Sequence, residues 1–276
     1  MNVTQRRRIG LAAAIAICGA TSIAAATTVS AGSPVRLPDL KTIKPPGPSL
    51  SLGKTGGGRP VLHLSNRIVN AGEGPLELFA GEPTQACADQ GQYDIGEDLE
   101  AEQVLFQDDG SGGVEPGGDA TVGCFEFHPV HNHWHLQDFS QYKLADKKTD
   151  ELVAGPSRKI GFCILDGDRA RPGLPGSPAL ASYASQGCNF GDAENGPSRM
   201  GLSVGWADTY SYFTPGQKLP LPRSLPKGIY CLVSTANPPD GPSEIIESDA
   251  ENNSRRKLVA INLKKGKAEP GPGKCR

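Results

Sequence analysis

From about residue 59 onward, glycine, proline, aspartate and asparagine cut the chain into short runs rich in β-branched and aromatic residues. No run is long enough, or periodic enough at 3.6 residues, for an amphipathic helix. Short runs bounded by turn formers read as strands, which predicts segments over 59–69, 75–79, 102–106, 121–127, 131–144, 158–165, 228–235 and 257–263. Such spacing implies an all-β chain, an antiparallel β-sandwich-like single domain with long loops. The absence of a composition break favours one domain, over 59–264. A Pro/Gly-rich lead over 32–58 precedes it, and a Lys, Gly and Pro-rich tail over 265–276 is expected to be flexible. The connection over 166–200 carries six glycines, four prolines and Cys188. A loop that long inside a compact domain is usually functional or disordered, and here a functional role is favoured.

Residues 1–31 read as an export signal, with Arg6, Arg7 and Arg8 followed by a short apolar run and a small-residue Val-Ser-Ala ending. The run is too short for a spanning helix, which takes roughly 20 apolar residues, and no later stretch approaches that length. No membrane contact is expected once the signal is removed. Without it the chain carries 25 basic against 30 acidic residues, a net charge of −5. No basic field for nucleic acid exists, and an acidic surface favours encounter with cationic partners such as amines or lysine-rich peptides. Six cysteines remain, an even number that suggests disulfides in a secreted, extracytoplasmic protein. They allow 15 pairings; the assignment carried forward joins Cys163 to Cys188 across one loop and Cys87 to Cys124 across another. Cys275 is left free or available to a second chain. The sequence does not set the oligomeric state.

Four of the five histidines fall within HPVHNHWH. His131, His133 and His135 alternate with Asn132 and Trp134, and a period of two places alternate residues of a strand on one face. Neutral imidazole is the commonest side-chain ligand for late transition metals, so these three are candidate metal ligands. On a regular strand the outer two stand roughly 13 Å apart at about 3.3 Å per residue, so a bend or bulge is expected. His128 is more plausible as a packing residue beside the site. With no HExxH helix the common zinc-protease pattern is excluded, and with Met200 the one methionine left a blue-copper set is disfavoured. Zinc hydrolysis and a histidine-bound copper with open positions both stay possible, copper being favoured in an exported, disulfide-bearing chain.

The run FEFHPVHNHWHLQDFSQYKLAD resembles the copper-binding signature of the lysyl oxidases, in which an aromatic, acidic, aromatic, His segment leads into His-x-His-x-His with an aspartate three residues later. Asp138 stands at that place. LPDL at 37–40 and LHLSNRIVNAGEG are similar to that family's opening segments, RKIGFCILD to the segment of its cofactor lysine, GLSVGWADTY to that of its cofactor tyrosine, and ESDAENN to its near-terminal strand. The resemblance implies copper held by His131, His133 and His135, and a lysine tyrosylquinone made from Lys159 and Tyr210. It further implies oxidation of primary amines, peptidyl lysine or small alkyl amines, by O2 to aldehydes with release of H2O2 and ammonia. Asp208, two residues before Tyr210, and Asp138 are the candidate bases for α-proton removal. The pattern departs at Val130, where animal members carry a cysteine, and Cys124 stands a few residues earlier, so animal disulfide pairings do not transfer. The competing reading is a secreted copper-binding module that never builds the quinone.

Overall fold

The computed structural model describes residues 33–90, 96–157, 160–239 and 244–275. The expected export signal and Lys159 lie outside the described residues. Among the described residues the strands are β1 (Val35–Arg36), β2 (Leu40–Thr42), β3 (Leu50–Lys54), β4 (Pro60–Leu64), β5 (Asn66–Asn70), β6 (Leu76–Pro83), β7 (Leu99–Asp108), β8 (Val114–His128), β9 (His133–Asp146), β10 (Leu152–Ala154), β11 (Ile160–Phe162), β12 (Met200–Leu202), β13 (Ala207–Tyr210), β14 (Lys218–Pro220), β15 (Gly228–Ala236), β16 (Ser254–Asn262) and β17 (Lys267–Pro270). Among the described residues helix is confined to single turns, such as Gln85–Ala88 capped by Thr84. The class is all-β and antiparallel throughout, as the punctuated sequence implies.

An eleven-stranded sheet runs β12-β6-β7-β8-β9-β15-β16-β17, with β1 on β7 and both β10 and β11 on β9. Two three-stranded sheets, β13-β5-β2 and β14-β4-β3, complete the fold. The strand read as 59–69 is two: β4 pairs with β3 and β14, whereas β5 pairs with β2 and β13. The break falls at Ser65, whose N–H donates to the Ser49 carbonyl and whose Oγ accepts from the Tyr212 N–H.

Strand β9 organises the centre. Its first half pairs with β8, Leu136 opposite Phe125, and its second half with β15, Ser140 opposite Ala236. Asp138 lies between them at φ +57°, left-handed backbone that breaks the regular pleat where the partner changes. Trp134, Leu136 and Phe139 pack with Phe125, Phe162 and Ile68 in the larger core, and Tyr142 and Leu144 with Leu62, Leu232 and Val259 in the second. Burial of each such side chain contributes about 1.5–3 kcal/mol, so this strand is among the best anchored of the fold.

The lead and the tail differ from expectation. Within 32–58, β1, β2 and β3 pair with β7, β5 and β4, despite the surrounding prolines and glycines. The tail read as flexible contributes β17, paired with β16, and Cys275 is bonded to Cys231. The other disulfides are Cys87–Cys124 and Cys163–Cys188, the two pairs expected. Three disulfides suit an oxidising compartment outside the cytoplasm. Among the described residues no helix is long and apolar enough to cross a membrane.

Candidate metal centre

The histidine stretch is a hairpin, not one strand. Pro129 through Asn132 form the turn between β8 and β9, and His128 pairs with His133 across it. Both His131 and Asn132 donate their N–H to the His128 carbonyl, at 3.1 and 2.7 Å, and Asn132 takes φ +58°, a conformation asparagine tolerates. The expected bend is therefore a turn that swings His131 back over the start of β9. His131 is a turn residue and not, as read from alternation, a strand residue.

That fold-back gathers four imidazoles. His135 Nε2 lies 3.1 Å from His131 Nδ1 and 3.0 Å from His133 Nε2. The rings of His128 and His131 stack at 4.0 Å between centroids, and ligand atoms of His128, His131 and His135 all fall within 4.8 Å of one another. His131 and His135 thus belong to both the set read from sequence and the set closest in space; His133 and His128 compete for the third place. Two nitrogens bound to one ion at about 2.0–2.1 Å stand roughly 3 Å apart when their bonds meet near a right angle. A single Nε2 carries either one proton or one lone pair, so two nitrogens crowding it are better served by a shared cation than by hydrogen bonds. Nε2 of His131 and Nδ1 of His133 are buried without a partner in good hydrogen-bonding geometry. The group is able to hold a metal ion.

Burial keeps these rings neutral. It pushes His128 and His133 down to about 4, with His131 adding repulsion in both, and drives the fully buried His135 well below the ordinary histidine value. His131 is lowered for the same reason. Titrating Cu2+ or Zn2+ into metal-free protein at pH 6 is accordingly expected to release less than one proton per ion. Three rings at the ordinary value of about 6.5 would release about two. Calorimetry in two buffers of different ionisation enthalpy reads the number, and a release of two or more would show that the rings are not held neutral.

A cavity of about 630 Å3 opens beside the cluster. His131 and His133 line it on one side; Asp208 and Tyr210, alternate residues of β13, line it on another. β13 is placed by antiparallel pairing with β5, Asp208 opposite Ile68 and Tyr210 opposite Asn66. The Tyr210 hydroxyl accepts from the Cys163 N–H at 2.8 Å and donates to the Cys163 carbonyl at 3.1 Å. Its ring packs on Phe162, 3.9 Å between centroids, and burial raises its pKa well above 10, with Asp208 adding to the rise. Asp208 is itself buried, its Oδ2 lacks a hydrogen-bond partner, and burial holds its carboxyl well above the usual range. Asp138, by contrast, is not among the residues lining this cavity.

The long connection over 166–200 closes on the same place. Cys188 is fixed to Cys163, the Gly191 N–H donates to the Asn132 carbonyl, and Trp134 Nε1 donates to the Asp192 carbonyl at 2.8 Å. Phe190 lies against the His133 ring, 4.3 Å between centroids. Nothing local in the sequence marks Phe190 or Phe213 as residues of the site; the length of the loop is the one signal of a functional role. Lys159 immediately precedes β11 in sequence and lies outside the described residues. No protein-family model matches the chain, and no curated protein matches it.

Proposed function

We propose that the chain is a copper-dependent amine oxidase of the lysyl oxidase kind, secreted, with Lys159 and Tyr210 as precursors of a lysine tyrosylquinone. The observation that carries this reading is that Tyr210 lines one cavity with His131 and His133 although 77 residues separate Tyr210 from His133. Copper supplies oxygen activation, and the quinone supplies an electrophilic carbonyl for the amine. The chain's own residues do the rest. His131 and His135, with His133 as third, hold the ion. The Cys163 backbone fixes the Tyr210 ring. Of the two candidate bases Asp208 has the stronger claim, since it lines the cavity beside Tyr210 and burial raises its pKa, the direction that a carboxylate base requires.

The two hydrogen bonds that tie Tyr210 to Cys163 also suit an ordinary structural tyrosine. That observation favours a second reading, a secreted copper-binding module without the quinone. Peptide mapping by mass spectrometry on protein expressed with copper separates the two. The expected result is a cross-linked peptide containing Lys159 and Tyr210, together with peroxide released from an alkyl amine. Copper-loaded protein that yields the two peptides separately and makes no peroxide would replace the oxidase with the binding module. A zinc hydrolase on the same histidines would make no peroxide either, and metal analysis identifies it.

A further inference from the structure

Of eight phenylalanines, Phe190 and Phe213 alone are exposed, at 51% and 75%, and both line the mouth of the histidine and Tyr210 cavity. They come from different loops and each is held from behind. Phe190 is fixed by the Cys188 disulfide two residues before it, by the Gly191 bond to Asn132, and by its packing on His133. Phe213 sits in the turn after β13, where the Thr214 N–H donates to the Ser211 carbonyl and the Tyr212 N–H to Ser65 Oγ; its ring meets Tyr212 edge-on at 5.6 Å. Exposed aromatic rings on so well tied a backbone are a prepared surface and not a loose one.

We infer that Phe190 and Phe213 are the specificity-determining pair of this site, selecting a primary ammonium carried on a peptide side chain whose neighbouring residues are apolar. The inference rests on the amine oxidase reading for the chemistry of the cavity. The lining admits the cation: Asp168 and Asp208 offer carboxyl oxygens to the cavity, and no lysine or arginine lines it among its described lining residues. Asp168 already has Arg67 as a partner, which leaves Asp208, with its unpartnered Oδ2, as the acceptor nearer Tyr210. Geometry favours the peptide. An ammonium on a short alkyl stem that reaches the cavity interior meets the rim with its stem alone, so rings exposed this far are covered only by what the stem is attached to. Aromatic faces also attract a passing ammonium, which assists its entry.

The test is binding of a fluorescein-labelled pentapeptide containing one dimethyl-lysine between phenylalanine and leucine, read by anisotropy. Its tertiary amine retains the charge but cannot condense with a carbonyl, so the readout does not depend on turnover. Phe213→Ala and Phe190→Ala are each expected to weaken binding by about tenfold, the scale of one well-placed aromatic contact, with copper content unchanged in Phe213→Ala. Phe213 touches none of the histidines by ring stacking, so its variant stands even if Phe190→Ala disturbs the metal. Replacing the peptide's phenylalanine and leucine by glycine is expected to remove most of the difference. Unchanged affinity in Phe213→Ala overturns the inference. So does sedimentation showing a dimer that Phe213→Ala dissociates while peptide affinity holds, because the rings would then belong to a second copy of the chain. Weakened peptide binding in a protein that oxidises no amine would uphold the rim and sink the oxidase; amine oxidation with unaltered peptide binding would do the reverse.

Discussion

Replacing His135 with alanine is expected to reduce metal affinity more than 100-fold, beyond the 10- to 100-fold that loss of a merely supporting group costs. His135 is the one ring whose Nε2 approaches two other histidine nitrogens at hydrogen-bonding distance, and it belongs to both candidate ligand sets. It is also fully buried on β9, with Gly161 of β11 lying so close that an added Cβ would come 3.1 Å from His135 Cβ. The check is metal per chain by mass spectrometry after dialysis against a competing chelator, with circular dichroism to show that the sheet persists. The same experiment ranks the third ligand. His133 Nε2 stands 3.0 Å from His135 Nε2, while the His128 Nδ1 already accepts the His131 N–H at 3.2 Å, so His133→Ala should cost more than His128→Ala. The opposite order would give His128 the place. Full occupancy in His135→Ala would remove the centre from this hairpin altogether.

How much of this was legible in the chain depends on whether a residue's role is local. The strands from β6 to β9 and from β15 to β16 show in the sequence because each is long enough for its apolar pattern and turn boundaries to be read. Short strands are not readable this way. β13, two residues beyond a glycine and only four residues long, is extended because β5 pairs with it, and that is a long-range fact. β17 and the strands of the lead are extended for the same reason, against a composition that argues for loops. The histidines were visible as a cluster but not as a turn: alternation suggested one face of a strand, and Pro129 and Asn132, both turn formers, carried the contrary signal. His128 breaks the alternation and so reads as a packing residue beside the site; in a hairpin it comes to lie across from His133. Asp138 and Asp208 looked equivalent in sequence, since nothing local tells a strand aspartate that breaks the pleat from one buried at a cavity.

Tyr210→Phe is the variant in which the structural and chemical roles of one atom separate. The ring stays, so packing on Phe162 and the width of the cavity are retained. The hydroxyl goes, and the Cys163 N–H and carbonyl each lose a partner. A buried donor and acceptor left unsatisfied cost about 1–3 kcal/mol, visible as a lowered melting temperature. Metal content should barely change, because the ligands stand on the β8 to β9 hairpin and not on β13. On the amine oxidase reading, peroxide release from an alkyl amine falls to background, since a phenylalanine ring at 210 offers no phenol to oxidise and no quinone to receive Lys159. Lys159→Arg, which leaves the Tyr210 hydroxyl in place, should then abolish oxidation without that loss of stability. Oxidation that survives in either variant would exclude the lysine tyrosylquinone. A stability loss in Tyr210→Phe, beside a wild-type protein that never oxidises an amine, would instead define Tyr210 as the strut that fixes Cys163 next to a histidine metal site.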